Sequence, residues 1–141
     1  MVSNFKPIHF LDVSKHLYQN FINEKEESCY RTAIGRIYYS VFLIIRDKIK
    51  WDSNFIKYKG GLSDRKLLNN PHELIIKFLF SMGKEYEDLS KNLETLRDLR
   101  NNSDYDINPP IIKRQVETAF ELFQFIAIDY QKIFRVKIDQ I

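Results

Sequence analysis

Between residues 27 and 50, Tyr30, Ala33, Ile34, Ile37, Tyr38, Val41, Phe42, Ile44, Ile45 and Ile49 recur at spacings of three and four and cover more than half of a helical circumference. A half-buried strand would alternate its faces at every residue; this segment does not, so it reads as a helix enclosed on most sides. Such a helix needs neighbours around it, which puts it at the centre of a bundle. Four Gly and four Pro among 141 residues break the rest of the chain rarely, and long stretches of Leu, Ile, Lys, Glu and Asn favour helix over strand. With 44% hydrophobic residues the chain can bury one sizeable core. The expected fold is therefore all-α, an up-and-down bundle of five helices forming one domain over residues 1–141.

The remaining helices follow from the same spacing. Leu11, Val13, Leu17, Tyr18, Phe21 and Ile22 predict a first helix over 10–24. Glu24-Lys25-Glu26-Glu27-Ser28 reads as a polar bend with a solvated charge run, its acids suited to the positive end of the next helix. Gly35, in the middle of the long helix, costs about 1 kcal/mol against Ala and implies a crossing where another backbone comes close. Residues 51–70, with Gly60-Gly61, read as a connecting loop holding at most one short helical turn, and as the most mobile segment. A third helix starts at Pro71 and ends near Gly83, a fourth spans 84–103 through Tyr86, Leu89, Leu93, Leu96 and Leu99, and a fifth opens at Pro109-Pro110 and runs to about 134.

Charge and residue usage narrow the function. Twenty-two basic against 19 acidic residues give a net charge of +3, too weak a field for coating nucleic acid, so any contact with RNA or a nucleotide is local. Eleven Phe and eight Tyr are many for this length and predict an aromatic subunit interface, hence a homodimer. The single cysteine, Cys29, has no internal partner and reads as a small buried hydrophobe in a reducing compartment. No charged-then-apolar leader is visible and the apolar runs stop short of a membrane span, so the expected location is cytoplasmic, away from the membrane. His9 and His16 lack a second ligand at helical spacing; no metal and no cofactor is expected.

Chemistry concentrates in Leu96-Arg97-Asp98-Leu99-Arg100-Asn101-Asn102-Ser103-Asp104-Tyr105-Asp106, where the fourth helix runs into a polar cluster. Arg97 and Arg100 share a face, and an arginine held on a rigid helix beside amides, a carboxylate and a phenol can grip a phosphate. The plainer alternative is a local ion pair between Arg100 and Asp104, four apart, closing the helix. Arg31 and Arg97 are surface candidates for phosphate contact, while Arg36, in a mostly apolar helix, is expected to pair with Asp98 or Asp104 inside the dimer. His72, just after a helix-starting Pro, either faces solvent, capping through Glu73, or faces the same cleft.

Two segments together resemble the HEPN superfamily of small dimeric helical bundles. Ala33-Ile34-Gly35-Arg36-Ile37-Tyr38-Tyr39-Ser40-Val41-Phe42 is similar to that family's second-helix signature of a small residue, a basic residue, a Tyr-Tyr pair and a Phe. The Leu96 to Asp106 segment is similar to its fourth-helix ending, in the branch with an acid-Tyr pair after the arginine, and His72-Glu73-Leu74-Ile75-Ile76-Lys77-Phe78 resembles the third-helix opening. The likeness runs from about residue 10 to 130 in the family's order.

The resemblance implies a two-fold dimer with a shared cleft lined by His72, Arg97, Arg100, Asn101 and Asp104. Catalytic members are metal-independent ribonucleases whose arginine is followed, after four to six intervening residues, by a histidine. Here the arginine matches Arg100, and Tyr105 stands where the histidine would be. A phenol with an ordinary pKa of about 10 is a poor base at neutral pH, whereas histidine near 6.5 serves as both acid and base. The first expectation is thus an RNA- or nucleotide-binding module of a toxin–antitoxin or antiviral defence system with weak or no cleavage. An endoribonuclease using Arg100 and Tyr105 in a non-standard site, and a non-catalytic assembly subunit of a larger complex, are the alternatives. Many members also have a nucleotidyltransferase partner that modifies motif tyrosines, for which Tyr105 is the matching position.

Overall fold

The computed structural model describes residues 3–20 and 25–138, all helix and connections, with no strand among them. There are seven helices in the described residues, not five: α1 (His9–Gln19), α2 (Glu26–Ile49), α3 (Ser53–Gly60), α4 (Arg65–Leu68), α5 (Pro71–Ser81), α6 (Lys84–Tyr105) and α7 (Lys113–Phe134). The two additional helices occupy the stretch expected to be a loop. Their origin is local: the Asp52 carboxylate accepts hydrogen bonds from the Asn54 and Phe55 N–H groups, and Asp64 does the same for Lys66 and Leu67. Each aspartate satisfies two donors at a helix start that otherwise lack partners. Both short helices are also anchored, α3 by Phe55, buried edge-on to Phe78 with ring centroids 5.0 Å apart, and α4 by buried Leu67.

The long apolar helix is central as its pattern demands. α2 packs against α1, α6 and α7, and α6 against α5 and α7. Ala33, Ile34, Ile37, Val41 and Ile45 of α2 meet Leu89, Leu93 and Leu96 of α6 and Val116, Ala119 and Ile126 of α7 in one closed core. Buried Ser14 fastens α1 to α2 by donating to the Ala33 carbonyl at 3.0 Å. The α5–α6 corner turns at Gly83, whose φ of 104° lies where side chains are strained.

Other expectations are corrected in detail. The first helix stops at Gln19, and its expected continuation through 21–24 lies outside the described residues. Glu26 to Ser28 are already helical rather than part of a bend, and α6 continues to Tyr105. α7 begins only at Lys113: Pro109 and Pro110 lie in the linker before it, and Ile112, extended, donates its N–H to the Gln115 side chain at 3.0 Å. At Gly35 no backbone approaches; the nearest atom to a Cβ placed there is Asp104 Oδ1 at 3.5 Å, so the missing side chain gives room to a carboxylate. Cys29 is half-buried, because it sits in the first turn of α2 before the core begins.

Candidate functional site

The last two turns of α6 lie across the middle of α2, and Arg100 is the point of contact. Its side chain is only 11% exposed. Nη2 donates to the Tyr39 hydroxyl at 2.6 Å, Nη1 donates to Asn101 Oδ1 at 3.0 Å, and Nε stands 2.9 Å from Asp104 Oδ2, an ion pair without hydrogen-bond alignment. The guanidinium carbon also lies 4.9 Å from the ring centre of Tyr39 and 5.7 Å from those of Tyr38 and Tyr105. Three aromatic rings and a carboxylate thus hold one cation in place. The local ion pair expected between Arg100 and Asp104 is present, and it forms one side of this larger cluster.

Arg97, one turn earlier on the same face, is treated differently. It is half-buried, its Nε is shielded from solvent without a hydrogen-bond partner, and it makes no ion pair among the described residues. Burying a guanidinium nitrogen unsatisfied is costly. Asp104 pairs with Arg100, and no carboxylate among the described residues pairs with Arg97.

His72 joins from α5. The Asn70 side chain caps that helix by accepting from the Glu73 N–H at 3.2 Å, and Pro71 fills its first turn, which aims the imidazole inward instead of at solvent. His72 Nδ1 is hydrogen-bonded to the Tyr38 hydroxyl at 2.7 Å, and the ring stacks on Phe42 with centroids 4.1 Å apart. Burial, reinforced by the charges of Arg97, Arg100 and Arg46, lowers its pKa to about 4. Burial likewise pushes the Tyr38 hydroxyl up, so it stays protonated.

This sets a pH dependence. A histidine neutral in the fold but ordinary, near 6.5, in the unfolded chain makes the unfolded state bind the proton more readily below that value. Its contribution to stability is complete above about pH 6.5 and is lost as pH falls toward 4. The His72 imidazole is expected to titrate by NMR with a midpoint near 4, and a midpoint at or above 6 would show that it is solvated.

The remaining sequence candidates sort clearly. Asn101 belongs to the cluster, and Tyr105 lies at its rim, 69% exposed. Arg31, a candidate for phosphate contact, is engaged within the chain itself. Its Nη1 donates to the carbonyls of Asn102, Ser103 and Asp106 at 3.3, 2.9 and 2.6 Å, and Nη2 donates to that of Ile107 at 3.2 Å. Arg31 closes the C-terminal end of α6, where carbonyls lack helical partners and the dipole is negative. Glu27 steadies it, accepting from Arg31 at 2.9 Å and from the Ile111 N–H at 3.0 Å, a backbone hydrogen bond that holds the Glu27 carboxyl below its usual range. Far from being idle surface charge, Glu27 ties α2 to the linker before α7. Arg36 makes no ion pair among the described residues. It is exposed and lies over the Phe10 ring of α1 at 5.1 Å, where the expected partners Asp98 and Asp104 make neither hydrogen bond nor ion pair with it.

Sequence reasoning missed Tyr39 as the partner of Arg100 and Tyr38 as the partner of His72. A tyrosine pair inside an apolar helix signals only packing. Among the described residues no group of three or more His, Cys, Asp or Glu side chains is placed to hold a metal ion, and no helix is long and apolar enough to cross a membrane.

Over 128 residues the chain is 34% identical to the uncharacterized protein MJ0628 of Methanocaldococcus jannaschii, a match spanning 86% of this chain and 74% of that protein. The chain belongs to the family of MJ0628. No protein-family model matches it, and no solved structure does.

Proposed function

We propose that the protein is a HEPN-like module that binds RNA or a nucleotide phosphate as a homodimer, within a toxin–antitoxin or antiviral defence system, with weak or no cleavage of its own. The observation that carries this reading is the pair Arg97 and Arg100 on one helix face, Arg100 held by Asp104 and Arg97 without an acidic partner among the described residues. Such a pair offers a fixed, positively charged donor set to a phosphate. Tyr39 and Asn101 orient Arg100, and Arg31 holds the helix end that presents them.

Cleavage of RNA needs a base for the 2′-hydroxyl and an acid for the leaving oxygen. Tyr105 is a phenol, and His72, with a pKa near 4, is a weak base at neutral pH. Both facts support binding over turnover. The alternative, a metal-independent endoribonuclease, draws its support from His72 lying in the same cluster as Arg100. The 69% exposure of Tyr105 also suits the companion reading that a nucleotidyltransferase partner modifies its hydroxyl.

The deciding experiment is metal-free incubation of the purified protein with labelled tRNA and total RNA, reading binding by fluorescence anisotropy and cleavage on gels. Wild type is expected to bind with an affinity that weakens as salt rises, and Arg100→Ala to bind about 10- to 100-fold less tightly, as for loss of a charge-assisted contact. Binding unchanged in a folded Arg100→Ala protein would remove the cluster from the function. Cleavage by wild type that disappears in Arg100→Ala would instead establish the enzyme.

A further inference from the structure

Helix α7 carries an apolar stripe that the core does not use. Phe125 and Ile128 are 54% and 52% exposed, and with Glu121 and Lys132, also exposed, they run along one side of α7 at spacings of four, three and four residues. The core takes the other side of the helix through Val116, Ala119, Ile126 and Tyr130. Two adjacent large apolar side chains left in water on a helix that has already buried its inner face mark an interaction surface. Trp51 and Phe80 are more exposed, but Trp51 lies outside the helices, and Phe80 is the one exposed large hydrophobic side chain of α5.

The order of this stripe indicates what covers it. Its spacing reads the same in both directions, and its two ends carry opposite charges. When a second α7 is laid antiparallel about a two-fold axis between positions 125 and 128, Phe125 meets Ile128 of the second copy and Glu121 meets Lys132, each pair occurring twice. Both charged ends are available for this. Glu121 has only a long contact with exposed Arg114, at 3.8 Å, and Lys132 makes no ion pair among the described residues. The surface is also concave where the second copy would sit. Ile128 borders a groove of about 430 Å³ between α1 and α7, lined as well by Leu11 and Phe123, and a hollow of about 470 Å³ that continues along Gln131 and Arg135.

We infer that two copies of this chain associate through α7, antiparallel, with Phe125 of each seated against Ile128 of the other and Glu121 paired with Lys132. The inference rests on the homodimer in the reading above and adds where its two copies meet. The aromatic and aliphatic centre supplies the affinity, whereas the flanking ion pairs, solvated at the rim, fix direction and register. None of the four residues belongs to the cluster around Arg100.

The test is sedimentation velocity of the whole protein from micromolar to hundreds of micromolar concentration. Wild type is expected to dimerise, and Phe125→Asp, at an exposed position, to keep its helical circular dichroism while the dimer dissociates about 100-fold more readily. Glu121→Lys alone and Lys132→Glu alone each set like charges against one another twice and should weaken the dimer by about tenfold. An equal mixture of these two variants should recover wild-type association as a mixed dimer, because every facing pair is then of opposite charge. A merely structural role for either residue would not produce that recovery. Loss of the dimer in both single variants without recovery in the mixture would overturn the antiparallel pairing. A dimer equally stable in wild type and all variants would overturn the inference and leave the homodimer in place, and a wild-type protein monomeric throughout would overturn both.

Discussion

Arg31→Met is expected to lower the stability of the protein by about 3 kcal/mol, in the range for losing hydrogen bonds made by a charged group. The side chain is 20% exposed and donates to four carbonyls at the end of α6 and in the following linker. Methionine keeps the hydrophobic stem and removes every one of these donors. Water can reach some of the freed carbonyls, which keeps the cost below the sum of four bonds. Glu27, left without its cation, still accepts from Ile111. For a domain of this length the loss corresponds to a melting temperature lowered by about 10 °C. Because the frayed turn carries Asp104 and Tyr105, RNA affinity should fall together with stability. A thermal scan that moves by less than about 2 °C would show that the helix end is held by other contacts.

Arg97→Met should separate binding from stability. Arg97 has a shielded Nε without a partner and makes no ion pair among the described residues, so removing it discards a desolvation cost and no hydrogen bond or ion pair seen there. Stability is expected to remain within about 0.5 kcal/mol of wild type, or to rise. RNA affinity should drop about tenfold or more, and the dependence of affinity on salt should become shallower by about one ion. Arg31→Met changes both quantities, whereas Arg97→Met should change only one. A loss of stability without a loss of affinity would make Arg97 a structural residue.

Helices α2, α5, α6 and α7 were legible as apolar periodicity within a few residues of their observed limits, since a helical stripe is a local property of three or four neighbouring side chains. α3 and α4 were not read, although Asp52 and Asp64 are ordinary capping residues: their short spans carry too little periodicity to stand out beside a glycine pair. Of the candidate site, the residues on α6 could be named from their order along one helix. Sequence order alone determined that Arg97, Arg100, Asn101 and Asp104 share a helix end. Only the tertiary structure decided that Arg100 would meet Tyr39 across 61 residues and His72 would meet Tyr38 across 34, because the faces that α2, α5 and α6 turn to one another are chosen by how the whole core packs. It also decided between arginines identical in chemistry. Arg31 falls beside exposed carbonyls and becomes a cap, Arg36 falls over Phe10, and Arg97 is left shielded and unpaired, a difference that arises from what each guanidinium meets after folding and that no local pattern encodes.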